Sequence, residues 1–312
     1  MHKPTVHILL ATYNGAQFLI EQLDSIARQT HSAWTLTISD DGSTDNTLAL
    51  VAEFAARITQ PLTVLQGPRQ KSSTRNFCHL IQNASASEAA DLYAFCDQDD
   101  VWLDNKLERA VQWHASQQSH AVRLYCSRTQ FVDEQLKPIG LSPGIQRPPS
   151  FGNALVQNIA SGNTMVMSHD VLLAQKKVKP EHSVWHDWTA YIVTTALAGR
   201  IWFDDEPCLL YRQHPQNVIG SNTGPIAAIL QMPALLKGRF RHRAEINQHC
   251  ILNLLKEMPG ETIEIFEQFQ RLLQAKSGIS SLQFFLNSSL RRQKTSANFV
   301  FAMALLIGLF KA

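Results

Sequence analysis

The feature that most constrains this chain is a repeated pattern in its first 126 residues. A short apolar run is followed by a turn or a polar cluster, then by a stretch with helical spacing. The spacing predicts strands at Val6–Ala11, Trp34–Ser39, Leu62–Gln66, Leu92–Cys96 and Ala121–Cys126. It predicts helices at Phe18–Arg28, Thr44–Arg57, Ser73–Asn83 and Leu103–Ser116, the second opened by Ser43, Thr44 and Asp45. Such alternation predicts an α/β fold with a mostly parallel, doubly wound sheet flanked by helices. In sheets of this kind ligands bind beyond the carboxyl ends of the strands. Strand one ends in Thr12-Tyr13-Asn14-Gly15, strand two in Asp40-Asp41-Gly42-Ser43, strand four in Asp97-Gln98-Asp99-Asp100. All three clusters are therefore expected at one edge of the sheet.

Beyond residue 126 the pattern weakens. Pro138, Pro143, Pro148 and Pro149 read as a surface loop. After about Gly224 helical periodicity takes over, with apolar stripes in Ile226–Leu236, Ile246–Leu255 and Ile263–Leu273. The expected division is a catalytic domain over 1–223 and a helical C-terminal region over 224–312. A length of 312 residues, nearly half of them hydrophobic, is enough for a sizeable core. Net charge is +2, which gives no global attraction to nucleic acid. The five cysteines form no C-x-x-C pair, so neither a disulfide framework nor a zinc site is suggested, and a reducing cytosol fits best. Val6–Ala11 is too short for the apolar core of a signal peptide.

The acidic cluster at the end of strand four is the most informative motif. Carboxylates packed closely raise one another's pKa unless a cation neutralises them. Mg²⁺ takes carboxylate oxygens and shares itself with substrate phosphates. Helix capping is the competing reading, yet one Asp would suffice for that. A calcium loop is a second alternative. Glu108 stands twelfth from Asp97, but Val101 and Trp102 occupy the places of a ligand and the turn glycine. Asp41 reads either as part of a D-G-S turn or as an acceptor for the N3–H of a uracil or thymine ring. Tyr13 reads as a stacking partner for that ring or as ordinary packing. His186-Asp187-Trp188 and Tyr211-Arg212-Gln213-His214 are poor signals alone, because a His–Asp pair serves equally as a core contact or a metal site.

Taken in order, these phrases, together with Ser161-Gly162-Asn163-Thr164, resemble family 2 glycosyltransferases of the GT-A fold, most closely the bacterial rhamnosyltransferase-like branch. They span about residues 5 to 220. The resemblance implies nucleotide-sugar binding by Thr12, Tyr13, Asn14, Asp41, Arg75, Asp97 and Gln98. It implies Mg²⁺ or Mn²⁺ held by Asp99 and His214, and Asp187 as catalytic base. Asp100, Trp102, Gly162, Asn163, His186, Trp188 and Arg212 are implied on the acceptor or donor-sugar side. A metal on the diphosphate stabilises the leaving charge, and a carboxylate takes the acceptor's proton. If that base stands opposite the leaving group, one displacement inverts the anomeric centre, as in inverting glycosidases.

The implied activity is transfer of a hexose, L-rhamnose from dTDP-rhamnose or a hexose from a UDP-sugar, onto a saccharide or lipid-linked acceptor in bacterial surface polysaccharide synthesis. The Q-x-x-R-W motif of processive synthases is absent, and so is the G-x-G-x-R of sugar nucleotidyltransferases. A nucleotidyltransferase and a non-catalytic scaffold remain the alternatives. Arg291, Arg292 and Lys294 precede the apolar run Phe299–Phe310, which at 12 residues is short of the about 20 needed to span a bilayer. The run suits a helix lying in the membrane interface near anionic lipid, or one packed on the domain or in a dimer. The expected location is the cytoplasm, at the inner face of the membrane.

Overall fold

The computed structural model describes residues 3–84, 90–117, 119–214 and 239–308. The first part runs β1 (Val6–Thr12), α1 (Leu19–Ala27), β2 (Trp34–Asp40), α2 (Thr47–Ala55), β3 (Leu62–Gln66), α3 (Ser73–Asn83), β4 (Leu92–Cys96), β5 (Val101–Trp102), α4 (Lys106–Ser116) and β6 (Arg123–Ser127). Then come β7 (Gln130–Val132), β8 (Pro138–Leu141), α5 (Phe151–Ala154), β9 (Val166–Ser168), α6 (His169–Lys176), α7 (His186–Ala196), β10 (Arg200–Asp204) and β11 (Leu209–Arg212). The C-terminal helices are α8 (Arg239–Leu252), α9 (Gly260–Gln274), α10 (Gly278–Leu286) and α11 (Thr295–Leu306).

Seven strands form the main sheet in the order β10-β6-β9-β4-β1-β2-β3. β1, β2, β3 and β4 pair in parallel, as do β6 and β10. β9 is antiparallel to both β4 and β6, so the sheet is mixed rather than wholly parallel. Every residue of β1 and β4 is buried, because helices cover both faces. One face packs Ile8, Leu10 and Ile38 against Leu23 of α1, Phe54 of α2 and Leu107 of α4. The other packs Leu9, Tyr93 and Phe95 against Phe77 of α3, Ile192 of α7, and Phe269, Phe285 and Phe301 of the C-terminal helices. α9 to α11 thus extend the core of the sheet. The expected boundary at 223/224 and the stripe Ile226–Leu236 lie outside the described residues.

Three local expectations change. The helix read from Leu103 begins at Lys106, because Val101–Trp102 stays extended, pairs antiparallel with β11 and donates the Trp102 N–H to Ser25 Oγ (3.0 Å). The helix read from Thr44 begins at Thr47, since Asp45 folds back to accept from the Thr47 N–H (3.0 Å). The Pro-rich loop holds an exposed strand, β8, at the edge of a four-stranded sheet ordered β5-β11-β7-β8. Pro138 is tolerated there because an edge strand can spare its missing N–H. This small sheet brings the end of β11 beside the end of β4.

Candidate active site

The carboxyl ends of β1, β2 and β4 open into a cleft of about 500 Å³. Three turns build its rim by exchanging hydrogen bonds. Asn14 takes φ 46°, a left-handed conformation that suits Asn better than most residues. Its N–H donates to Ser43 Oγ (2.8 Å) and its Oδ1 accepts from the Thr44 N–H (2.8 Å), joining the β1 turn to the β2 turn. Gln98 binds β4 to β1: its Oε1 accepts from Thr12 Oγ1 (2.7 Å) and the Tyr13 N–H (2.9 Å), and its Nε2 donates to the Tyr13 carbonyl (3.2 Å). On α3, the Asn76 amide donates to the Ser39 carbonyl (2.8 Å) and accepts from Ser39 Oγ (2.6 Å). Tyr13 is thereby presented to the cleft on a rigid frame.

The acidic residues gather along one wall. Asp97, Asp99 and Asp187 all line the cleft, with Asp41 further along. Burial, then the nearby Asp99 and Asp187 carboxylates, push Asp97 up to about 7. Asp99 Oδ2 lies 2.9 Å from His214 Nε2, the imidazole packing on Phe18 (5.0 Å between centroids). Among the described residues no group of three or more His, Cys, Asp or Glu side chains could hold a metal by itself. One carboxylate and one imidazole converging on open space do suit a divalent ion that completes its shell from substrate phosphates.

Beneath that wall lies a buried support. Asn163 Nδ2 donates to Asp100 Oδ2, and the Lys106 ammonium donates to the Asn163 carbonyl. The same ammonium sits 3.4 Å from the centre of the Trp102 ring, a desolvated cation–π contact. Burial pushes Asp100 well above the ordinary carboxylate range, helped by Asp99 and Asp97. Arg212 Nε donates to the Asp99 carbonyl (3.1 Å), while its other nitrogens reach the Glu134 carbonyl and the Glu21 carboxylate. Asp100, Trp102, Asn163 and Arg212, expected on the acceptor or donor-sugar side, thus face away from the cleft. Asp100, Asn163 and Arg212 each hydrogen-bond another polar group, and Trp102 covers the Lys106 ammonium, which eases the burial of these side chains. Trp188 is likewise set aside, its Nε1 donating to the Ala154 carbonyl (2.7 Å). Arg75, on α3, is also absent from the lining.

Asp187 stands in the first turn of α7. Its Oδ1 accepts from the Trp188 N–H (2.6 Å) and its Oδ2 from the Gly162 N–H (3.3 Å). Burial outweighs these bonds and pushes its pKa up to about 6. Gly162 is needed for this approach, because a Cβ there would come within 2.5 Å of His186 Nε2 and 3.2 Å of Asp187 Cβ. His186 is stacked on Phe77 (3.8 Å between centroids), and burial pulls it down to about 3, so it is a neutral imidazole.

The cleft therefore brings together Thr12, Tyr13, Asn14, Asp41, Asp97, Gln98, Asp99, Gly162, His186, Asp187 and His214 of the residues singled out in the sequence. It adds Lys71, Asn76, Phe77 and Trp185. These had no signal in the sequence: each sits in an unremarkable helical or loop stretch, and only its distant partner gives it a place.

Residues 7–173, more than half the chain, match the model of glycosyl transferase family 2. The dTDP-rhamnosyl transferase RfbG of Shigella flexneri is 29% identical over 226 residues, covering 68% of this chain and 74% of that protein. Among solved structures, TarS of S. aureus superposes with a TM-score of 0.59 at 15% identity, covering 98% of this chain and 81% of that one. The mannosyltransferase PcManGT from Pyrobaculum calidifontis, in complex with GDP-Man and Mn²⁺, does so at 0.53 and 14%, covering 99% and 86%. These likenesses carry the fold, a GT-A sheet with helices on both sides. With that fold, the ordered strand-end motifs and the family match, the chain belongs to glycosyl transferase family 2.

Proposed function

We propose that this transferase is an inverting enzyme that moves a sugar from a dTDP- or UDP-linked donor to a saccharide or lipid-linked acceptor in bacterial surface polysaccharide synthesis. The observation that carries the reading is one cleft holding Asp187 together with the Asp97, Asp99 and His214 cluster. The relative named as a dTDP-rhamnosyl transferase supports L-rhamnose as the transferred sugar.

In this reading Tyr13 stacks on the nucleobase and Asp41 borders it. Asp99 and His214 hold Mg²⁺ or Mn²⁺, with Asp97 beside them. A divalent ion bound there supplies positive charge against the departing diphosphate. Asp187 accepts the proton of the attacking hydroxyl. Its carboxylate is held by two backbone N–H groups, which orients it without neutralising it. The neutral His186 beside it adds no competing charge. Trp185 gives the wall an apolar surface against which a sugar ring packs.

Membrane contact forms part of the proposal. On α11, Phe301 and Leu305 are buried, but Phe299 (67% exposed), Val300 and Met303, with Ile307 (64%) at its C-terminal cap, form an open apolar face. The backbone of Gly278 lies against the Leu306 carbonyl, which sets exposed Ile279 beside that face. Exposed Lys276 and Lys294 stand just ahead of α10 and α11. An apolar face bordered by lysines suits an anionic bilayer surface. Arg291, expected to serve there, is otherwise engaged, and Arg292 is drawn partly into the protein. Arg291 donates to the carbonyls of Phe285 (3.0 Å) and Leu286 (3.1 Å) and lies over the Phe285 ring (5.2 Å). The proposed location is the cytoplasmic face, where buried thiols such as these five stay reduced.

Calorimetry with dTDP and UDP, with Mn²⁺ and with EDTA, tests the donor site. Binding that requires the metal is expected; equal affinity in EDTA removes the metal from the reading.

A further inference from the structure

The loop between β3 and α3 carries an unusual backbone. Lys71 has φ 51° and Arg69 φ 58°, both in the left-handed region that glycine enters freely and other residues rarely. What holds the loop there is Asp41. Its Oδ1 accepts from the Gln70 N–H (3.1 Å) and its Oδ2 from the Ser72 N–H (3.2 Å), the amides on either side of Lys71. A carboxylate that grips both flanking amides fixes the turn between them. The Lys71 ammonium then lies 5.8 Å from the centre of the Tyr13 ring.

The charge of the cleft gives this lysine its meaning. Four carboxylates line it, those of Asp41, Asp97, Asp99 and Asp187. Among the described lining residues Lys71 is the one lysine or arginine. A wall so acidic repels a diphosphate unless cations intervene. Lysine is a flexible point charge suited to phosphate oxygens. Were the position kept for its backbone alone, glycine would serve it with less strain.

We infer that Lys71 is a phosphate-binding residue of the donor site, held in place by Asp41, and that Asp41 acts on the donor through this loop. This rests on the reading that the cleft takes a nucleoside diphosphate. A nucleotide whose base lies on Tyr13 brings its phosphates within reach of the lysine stem. Contact with those oxygens then replaces the contact with the ring.

The test compares Lys71→Gln and Lys71→Gly in the full-length protein with Mn²⁺. The probes are dTDP or UDP, whichever the wild type binds more tightly, and the matching nucleoside. Loss of a charge-assisted contact is expected to weaken diphosphate binding roughly tenfold or more in both variants, with nucleoside binding unchanged. Lys71→Gly is expected to melt at or above the temperature of Lys71→Gln, because glycine relieves the left-handed strain. Diphosphate affinity within about twofold of wild type would overturn the inference while leaving the donor reading intact. Equal weakening of the nucleoside would also overturn it, since the lysine would then be touching the base. A wild type that binds neither diphosphate would overturn the donor reading, and this inference with it.

Discussion

Replacing Asp187 by Asn separates chemistry from stability, and the geometry sets the size of each effect. Burial raises the folded-state pKa of Asp187 from 3.8 to about 6. At about 1.4 kcal/mol per pKa unit, the ionised group destabilises the fold by roughly 3 kcal/mol at neutral pH. An amide removes that penalty. It also turns one acceptor into a donor. The remaining oxygen keeps the Trp188 N–H, and the new NH₂ faces the Gly162 N–H, which leaves a buried donor unpaired at a cost of about 1–3 kcal/mol. The two terms nearly offset, so the melting temperature should move by only a few degrees. Transfer should fall about a hundredfold or more, the usual contribution of a general base. Donor affinity should hold, because the base meets the acceptor hydroxyl. The sign of the pH dependence follows from the raised pKa. The folded state binds the proton more tightly than the unfolded chain, so this group's contribution to stability falls as pH rises from about 4 to about 6. Wild-type transfer should rise as pH passes through about 6 and the carboxylate ionises. Melting curves, calorimetric donor affinity and nucleoside diphosphate release, each followed from pH 4 to 8 in both proteins, provide the check. A stable mutant with a normal transfer rate would remove Asp187 from the mechanism. A mutant that unfolds readily while its folded fraction works normally would assign Asp187 to structure alone.

Three further outcomes follow from the same geometry. Asp99→Asn and His214→Ala should each abolish the Mn²⁺ dependence of diphosphate binding while far-ultraviolet circular dichroism stays native; binding that still responds to EDTA would move the metal elsewhere. Gly162→Ala drives a methyl group against His186 and Asp187, so transfer should fall roughly tenfold or more through misplacement of the base, with donor affinity retained; a normal rate would mean the turn does not position Asp187. Phe299→Ser with Ile307→Ser should lower flotation with phosphatidylglycerol vesicles at least about tenfold, since each exposed apolar side chain contributes roughly 1.5 kcal/mol or more on burial in lipid; if the wild type does not float, the face belongs to another partner.

Asp97 and Arg212 illustrate how far sequence reasoning reaches at such a site. Asp97 could be placed because strand ends of a doubly wound sheet converge, and its neighbours in the chain already showed a concentration of charge. Arg212 sits in an equally polar phrase, yet its side chain turns inward to Glu21, a residue 191 positions away, and props the backbone of Asp99. Nothing local distinguishes an arginine that meets a substrate from one that closes a buried network. Lys106 was invisible for the same reason. At the start of a helix a lysine reads as solvated, and only Asn163 and Trp102, folded over it, make it a buried cation.

What the sequence determined by itself is the part governed by short-range periodicity. Apolar runs of strand length alternating with helical stripes dictate β1 to β4 with α1 to α4, and hence the edge where Tyr13, Asp41, Asp97 and Asp99 meet. The bounds of α3 and β4 could be read to the residue, because an N-cap serine and a fully apolar run mark them locally. The tertiary structure alone decided the rest: the reversal of β9 within the sheet, the inward turn of Arg212 and Arg291, and the left-handed loop that aims Lys71 at the cleft. Each depends on which distant group satisfies a buried donor, acceptor or charge. That choice is made by packing in three dimensions, and nearest neighbours along the chain carry no record of it.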